Sequence, residues 1–110
     1  MVKQTYQNTS VTKRIRVFLK LLKRKGIRVS AIIIFGSYGK GTARKDSDID
    51  VAVISDQFGK DAFREMTLLR KIALKVDSHI EPVPLNTEDL HDPFSTLIQE
   101  INRHGKRLVI

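Results

Sequence analysis

The sequence predicts a small α/β fold. Segments with apolar residues at helical spacing alternate with short apolar runs of strand character, and glycine or proline marks most of the junctions. Size points the same way. The 110 residues, 41% hydrophobic and 29% charged, suit one globular, soluble domain spanning residues 1–110. A chain of this length buries one modest core, so a second substrate-binding lobe is expected from a partner or a second copy, and a homo-oligomer is compatible with that.

The first helix is expected from a cap at Thr9 or Ser10 to about Lys25, with Gly26 as its stop. Val11, Ile15, Phe18, Leu19 and Leu22 form its buried stripe. Residues 29–35 are a nearly continuous apolar run, which predicts a strand covered on both faces. Residues 36–46 read as a glycine-rich loop, and residues 48–54 as a second central strand. Gly59 and Lys60 lead into a helix over about residues 61–76, with Ala62, Met66, Leu69, Ile72, Ala73 and Val76 on its inner face. Residues 79–85 form a short extended segment. Pro82 and Pro84 cannot donate to a ladder, which places it at a sheet edge. Asp92 and Pro93 predict a helix start, with Phe94, Leu97, Ile98 and Ile101 as the apolar face and Gly105 at the end. Residues 107–110 close the chain as a last short strand.

Composition narrows the functional classes. There is no cysteine, which excludes disulfides and thiolate metal sites. No apolar stretch reaches the length of a membrane span, and residues 1–10 lack a signal-peptide core, so a cytoplasmic protein without membrane contact is expected. The net charge is +8 and unevenly placed. Residues 1–45 carry twelve Lys and Arg and no acid, whereas residues 46–110 carry eight and all twelve acids. Such a basic half fits an anionic partner such as a nucleotide or nucleic acid, and equally a solvated helix face.

The chemistry is concentrated between residues 35 and 51. Asp48 and Asp50 are two apart, so on a strand both carboxylates leave the same face. Two such acids repel unless a cation sits between them, and Mg²⁺ favours carboxylate, water and phosphate oxygens. Paired carboxylates can hold two metal ions that clamp the attacking and leaving oxygens of a phosphoryl displacement. Ile49 between them points to the core. Gly36, Gly39 and Gly41 let backbone N–H groups approach phosphate oxygens, Ser37 adds a hydroxyl, and Lys40 and Arg44 add positive charge. Ser47 is expected to steer the turn into the strand through a side-chain-to-backbone bond. The spacing matches neither GxxxxGK[ST] nor GxGxxG.

The run Gly36-Ser37-Tyr38-Gly39-Lys40-Gly41, five residues, then Ser47-Asp48-Ile49-Asp50 resembles the signature of the DNA polymerase beta-like nucleotidyltransferase superfamily. More narrowly it resembles the minimal nucleotidyltransferase (MNT) family, whose pattern is G-S-x-A-R-G, a spacer, then S-D-x-D-L. Gly39 stands for the alanine, Lys40 for the arginine and Val51 for the leucine. The resemblance covers essentially the whole chain. It implies a nucleotidyltransferase fold, a small mixed sheet flanked by helices. It also implies Mg²⁺, two ions by preference, on Asp48, Asp50 and a third carboxylate from the next strand. Glu81 takes that place, with Asp77 as the rival. The triphosphate then meets Gly36 and Ser37, with Lys40 and Ser47 beside it.

The activity so implied is transfer of AMP from ATP to a hydroxyl, a tyrosine of a HEPN-domain toxin, by its antitoxin. The alternatives are a binding module that neutralises such a partner by contact, and a nucleic-acid-binding protein. The latter is possible but not favoured; no aromatic residue is interleaved among the N-terminal basic residues, so a stacking platform for single strands is not indicated. His79, His91 and His104 show no metal-ligand spacing and are expected at the surface, and Tyr38 is expected to pack or to meet a partner.

Overall fold

The computed structural model describes residues 2–110. Helix α1 (Thr9–Arg24) is capped one position earlier than expected, by Asn8, whose Oδ1 accepts from the Val11 N–H at 3.2 Å. Lys23 and Arg24 sit in its last turn, where cations favour the carbonyl end. Its stripe of Val11, Ile15, Phe18 and Leu22 is fully buried. Gly26 follows in the left-handed region, φ 81°, and turns the chain toward β1 (Ala31–Phe35), shorter by two residues than the apolar run.

Residues 36–40 form a short helix, α2 (Gly36–Lys40), where a loop was expected. Gly41, φ 78°, ends it in the left-handed conformation. Three glycines at close spacing read as a turn signal, but two of the three serve the helix's boundaries. β2 (Ile49–Ile54) follows, then α3 (Ala62–Leu74), β3 (Ile80–Leu85), a 3-10 turn at Glu88–His91, α4 (Thr96–His104) and β4 (Lys106–Leu108).

The start of α4 differs from the sequence expectation. Ser95 caps it by accepting from the Ile98 N–H at 3.2 Å. Asp92 instead accepts from the Phe94 N–H at 2.9 Å, just before the helix. Phe94 thus lies outside α4 and is 89% exposed, and Leu97 is exposed too; Ile98 and Ile101 alone of the expected face are buried. The last strand likewise begins at Lys106 and stops at Leu108.

The sheet is four-stranded and mixed, in the order β3-β2-β1-β4. β1 lies antiparallel to β2 and to β4, whereas β2 and β3 are parallel and joined through α3. β3 is an edge, as its prolines require. Strand parity sorts the side chains into two cores. Ile32, Ile34, Ile49, Val51 and Val53 pack with α1 and α3 on one face. Ile33, Phe35, Ala52 and Ile54 pack with Ile98 and Ile101 of α4 on the other. β2 is covered on both faces, and Asp50 is its one position that is not buried. No described helix is long and apolar enough to cross a membrane.

Asp77, at the end of α3, ties two layers together. Its carboxylate accepts from the His79 backbone N–H at 2.8 Å and from Arg14 Nη1 of α1 at 2.5 Å, and it touches His79 Nδ1 at 2.8 Å. The His79 N–H and the Arg14 guanidinium hold its pKa down to about 2, and the side chain is only 15% exposed. A carboxylate with a depressed pKa contributes stability above its unfolded value, about 4, and loses it as pH falls through about 2. Asp77→Asn should therefore cost about 1–2 kcal/mol at neutral pH. Denaturant melts should show that difference shrinking between about pH 4 and pH 2; an unchanged difference there would assign the loss to packing instead of charge.

Candidate active site

The site lies where β2 begins and β1 ends, on the sheet face that α4 covers. Ile49 is fully buried on the opposite face, so Asp50 has the parity expected. Asp48 precedes the strand and is exposed; Asp50, partly buried, stands opposite Phe35 of β1 and Glu81 of β3. The register between β2 and β3 thus brings the third expected carboxylate beside the second. Asp77 is not part of this group, being held by Arg14 and His79.

Gly36 meets Asp50 directly. Its φ is 64°, and a Cβ there would lie 2.0 Å from Asp50 Oδ2. The glycine is required twice over, by conformation and by space. It opens α2, which has no side-chain cap, so the first-turn backbone N–H groups lack a side-chain acceptor beside the carboxylates. Ser37 is in that turn and is half-buried. Ser47 accepts from the Arg44 N–H at 2.7 Å through its Oγ, which shapes the turn into β2 as expected.

Glu100 of α4 is a site residue that the sequence reading missed. It forms an ion pair with Lys40 at 2.9 Å. Burial raises the pKa of Asp50 above the ordinary carboxylate range, and the charges of Asp48, Glu81 and Glu100 raise it further. Three acids, from the turn before β2, from β3 and from α4, therefore bear on Asp50. Only a contact between α2 and α4 reveals Glu100, and no local spacing in the sequence signals it. That contact is close: a Cβ on Gly39 would lie 2.9 Å from the carbonyl oxygens of both His104 and Ile34. Lys106 Nζ also donates to the Gly39 carbonyl. Glycine at 39, where the family pattern has alanine, thus fits the close seating of α2 on α4.

The surplus of negative charge around Asp50 suits a divalent cation. Asp48 and Asp50 fit Mg²⁺, which commonly takes one or two carboxylates and completes its shell with water and phosphate oxygens. Among the described residues no three of His, Asp and Glu converge as a ready metal-ligand set. The Glu81 carboxylate instead pairs with Arg70 of α3 at 3.1 Å. It would have to leave Arg70 to join a metal. A cavity of about 220 Å³ lies at the other end of the strands, near Ser30, Ile54 and Asn102.

A mixed sheet with these acids at the mouth of β2, beside an uncapped glycine-led turn, defines a nucleotidyltransferase fold. Residues 15–104 match the nucleotidyltransferase domain family, and the chain belongs to it. It is 33% identical over 90 residues to the protein adenylyltransferase MntA of Shewanella oneidensis, covering 82% of this chain and 60% of that protein. A relative from Methanocaldococcus jannaschii is 36% identical over 78 residues, 66% of this chain and 53% of its own length. The chain thus spans little more than half the length of these relatives. Among solved structures, a toxin–antitoxin complex with AMP-PNP superposes with a TM-score of 0.61 at 30% identity, over 87% of this chain and 70% of that one. The toxin–antitoxin complex MntA-HepT gives a TM-score of 0.57 at 25% identity, over 86% and 68%.

Proposed function

We propose that the chain transfers a nucleoside monophosphate, AMP from ATP, to a hydroxyl, and that the acceptor is a tyrosine of a HEPN-domain toxin for which it is the antitoxin. The observation that carries this reading is the register of Asp50 with Glu81 in front of Gly36, with the charge of Asp48 acting on Asp50. The name of the Shewanella relative and the AMP-PNP complex support the nucleotide and the protein acceptor.

Mg²⁺ held by Asp48 and Asp50 would supply charge neutralisation at the triphosphate. The N–H groups of the α2 turn and the Ser37 hydroxyl donate to the phosphate oxygens and fix them in front of the acids. Lys40, at the far end of α2, would have to leave Glu100 to set a positive charge toward the departing pyrophosphate. The acceptor oxygen attacks the α-phosphorus in line, the bond to the pyrophosphate oxygen breaks, and the hydroxyl proton passes to Glu81. For Glu81 to receive it, the Arg70 pair must open.

The test is to incubate the protein with its partner toxin, Mg²⁺ and each nucleoside triphosphate, then to weigh both proteins. A gain of one or more AMP units on the toxin, absent with Asp48→Asn, is the expected result. Toxin neutralisation that survives Asp48→Asn with no added mass would leave the contact-only reading in place.

A further inference from the structure

The mechanism leaves the basic face of α1 unused. Lys13, Val17, Lys20 and Arg24 fall at i, i+4, i+7 and i+11, opposite the buried stripe of Val11, Ile15, Phe18 and Leu22. Arg16 and Lys23 flank this line. Every one of these residues is exposed. The line is about 16 Å long at the helical rise.

Its charge is uncompensated. None of the five cations enters an ion pair among the described residues. Arg16 donates to the Val109 carbonyl at 2.8 Å, which leaves its charge intact. α1 itself contains no acid. The acids of the neighbouring α3 segment are engaged: Asp61 caps α3, Glu65 accepts from the N–H groups of Gly59, Lys60 and Asp61, and Asp77 holds Arg14.

We infer that this face of α1 binds the phosphate backbone of double-helical nucleic acid. Protein interfaces are poor in lysine and are built around an apolar or aromatic centre. Here three lysines and two arginines surround a single valine, Val17, half exposed. Single strands need aromatic platforms for their bases. The one aromatic residue of α1, Phe18, is fully buried in the core. A line of solvated cations without stacking groups fits a contact of phosphate with ammonium and guanidinium, read without regard to sequence. α1 packs on the sheet face opposite the one that carries Asp50, so this contact is separable from the proposed transfer.

The experiment measures anisotropy of a labelled RNA duplex of roughly two helical turns with the full chain, between about 50 and 200 mM salt. A DNA duplex, the single strand and polyglutamate of matched charge serve as further probes. Two variants lose the same charge: Lys13→Gln/Lys20→Gln on α1, and Lys3→Gln/Arg103→Gln elsewhere on the surface. Both duplexes should bind more tightly than the single strand and polyglutamate. The α1 variant should weaken duplex binding about tenfold near 100 mM salt and reduce the salt slope by about two. The other variant should change neither by more than about twofold. Equal losses in the two variants would overturn the inference. So would polyglutamate binding as well as the duplex, which would assign the face to an acidic protein.

Discussion

Asp50→Asn is expected to yield a protein that melts at a higher temperature than the wild type and transfers nucleotide at least about 100-fold more slowly. The two effects have one origin. Burial and the charges of Asp48, Glu81 and Glu100 raise the pKa of Asp50 in the fold. An acid with a raised folded pKa contributes stability that is fully present below its unfolded pKa. That stability is lost as pH rises through the folded value. At neutral pH the ionised side chain is therefore a cost to the fold. Asparagine keeps the shape and removes the charge.

About 1 kcal/mol moves the midpoint of a domain near this size by roughly 4–8 °C, so half of that is easily read by calorimetry. The gain should vanish below the ordinary carboxylate range, where the wild type is protonated as well. Added Mg²⁺ should raise the wild-type midpoint and leave that of the variant nearly unchanged. A variant that melts lower than the wild type at pH 7 would contradict the assigned electrostatics.

Gly36→Ala should be nearly as damaging to transfer, by another route. At φ 64° an alanine is strained by about 1–2 kcal/mol, and its Cβ would stand 2.0 Å from Asp50 Oδ2. The carboxylate has to move, and it belongs to a strand that is otherwise buried and cannot follow. A displacement near 1 Å at a reacting centre costs on the order of 100-fold. We expect a folded protein, destabilised by about 1–3 kcal/mol, with transfer down by about that factor. Circular dichroism melts and the mass assay read the two separately. Wild-type turnover in Gly36→Ala would show that the contact with Asp50 plays no part in the reaction.

Much of the site was legible in the sequence because it depends on parity. Period-two alternation placed Ile49 in the core and Asp50 on the other face, and no tertiary knowledge was needed. Glu81 was reachable because its strand is short and marked by prolines, although its pairing with Asp50 is a matter of register between strands 31 residues apart. The preference for Glu81 over Asp77 came from the resemblance; the hold of Arg14 on Asp77, 63 residues away in the chain, was not legible.

Glu100 was hidden for the same reason: it reaches the site only because α2 sits closely against α4. Two local misreadings have local causes. Gly36, Gly39 and Gly41 suggested a loop, but the first and last bound a helix of 5 residues and the middle one makes room for α4. Asp92 and Pro93 carried the signature of a helix start, yet Ser95 stands closer to the first buried residue, Ile98, and bonds its N–H.

The prolines of β3 also bear on how another molecule can meet this sheet. The Ile49 N–H donates to the His79 carbonyl and the Ser55 N–H to the Leu85 carbonyl, so the odd-numbered residues of β3 turn their polar backbone inward, to β2. The even-numbered ones face outward, and two of them, Pro82 and Pro84, have no N–H to offer. An incoming strand would find carbonyls there but no donors, and could not zip along that rim. Whatever assembles with the protein on that side must grip side chains instead of extending the ladder.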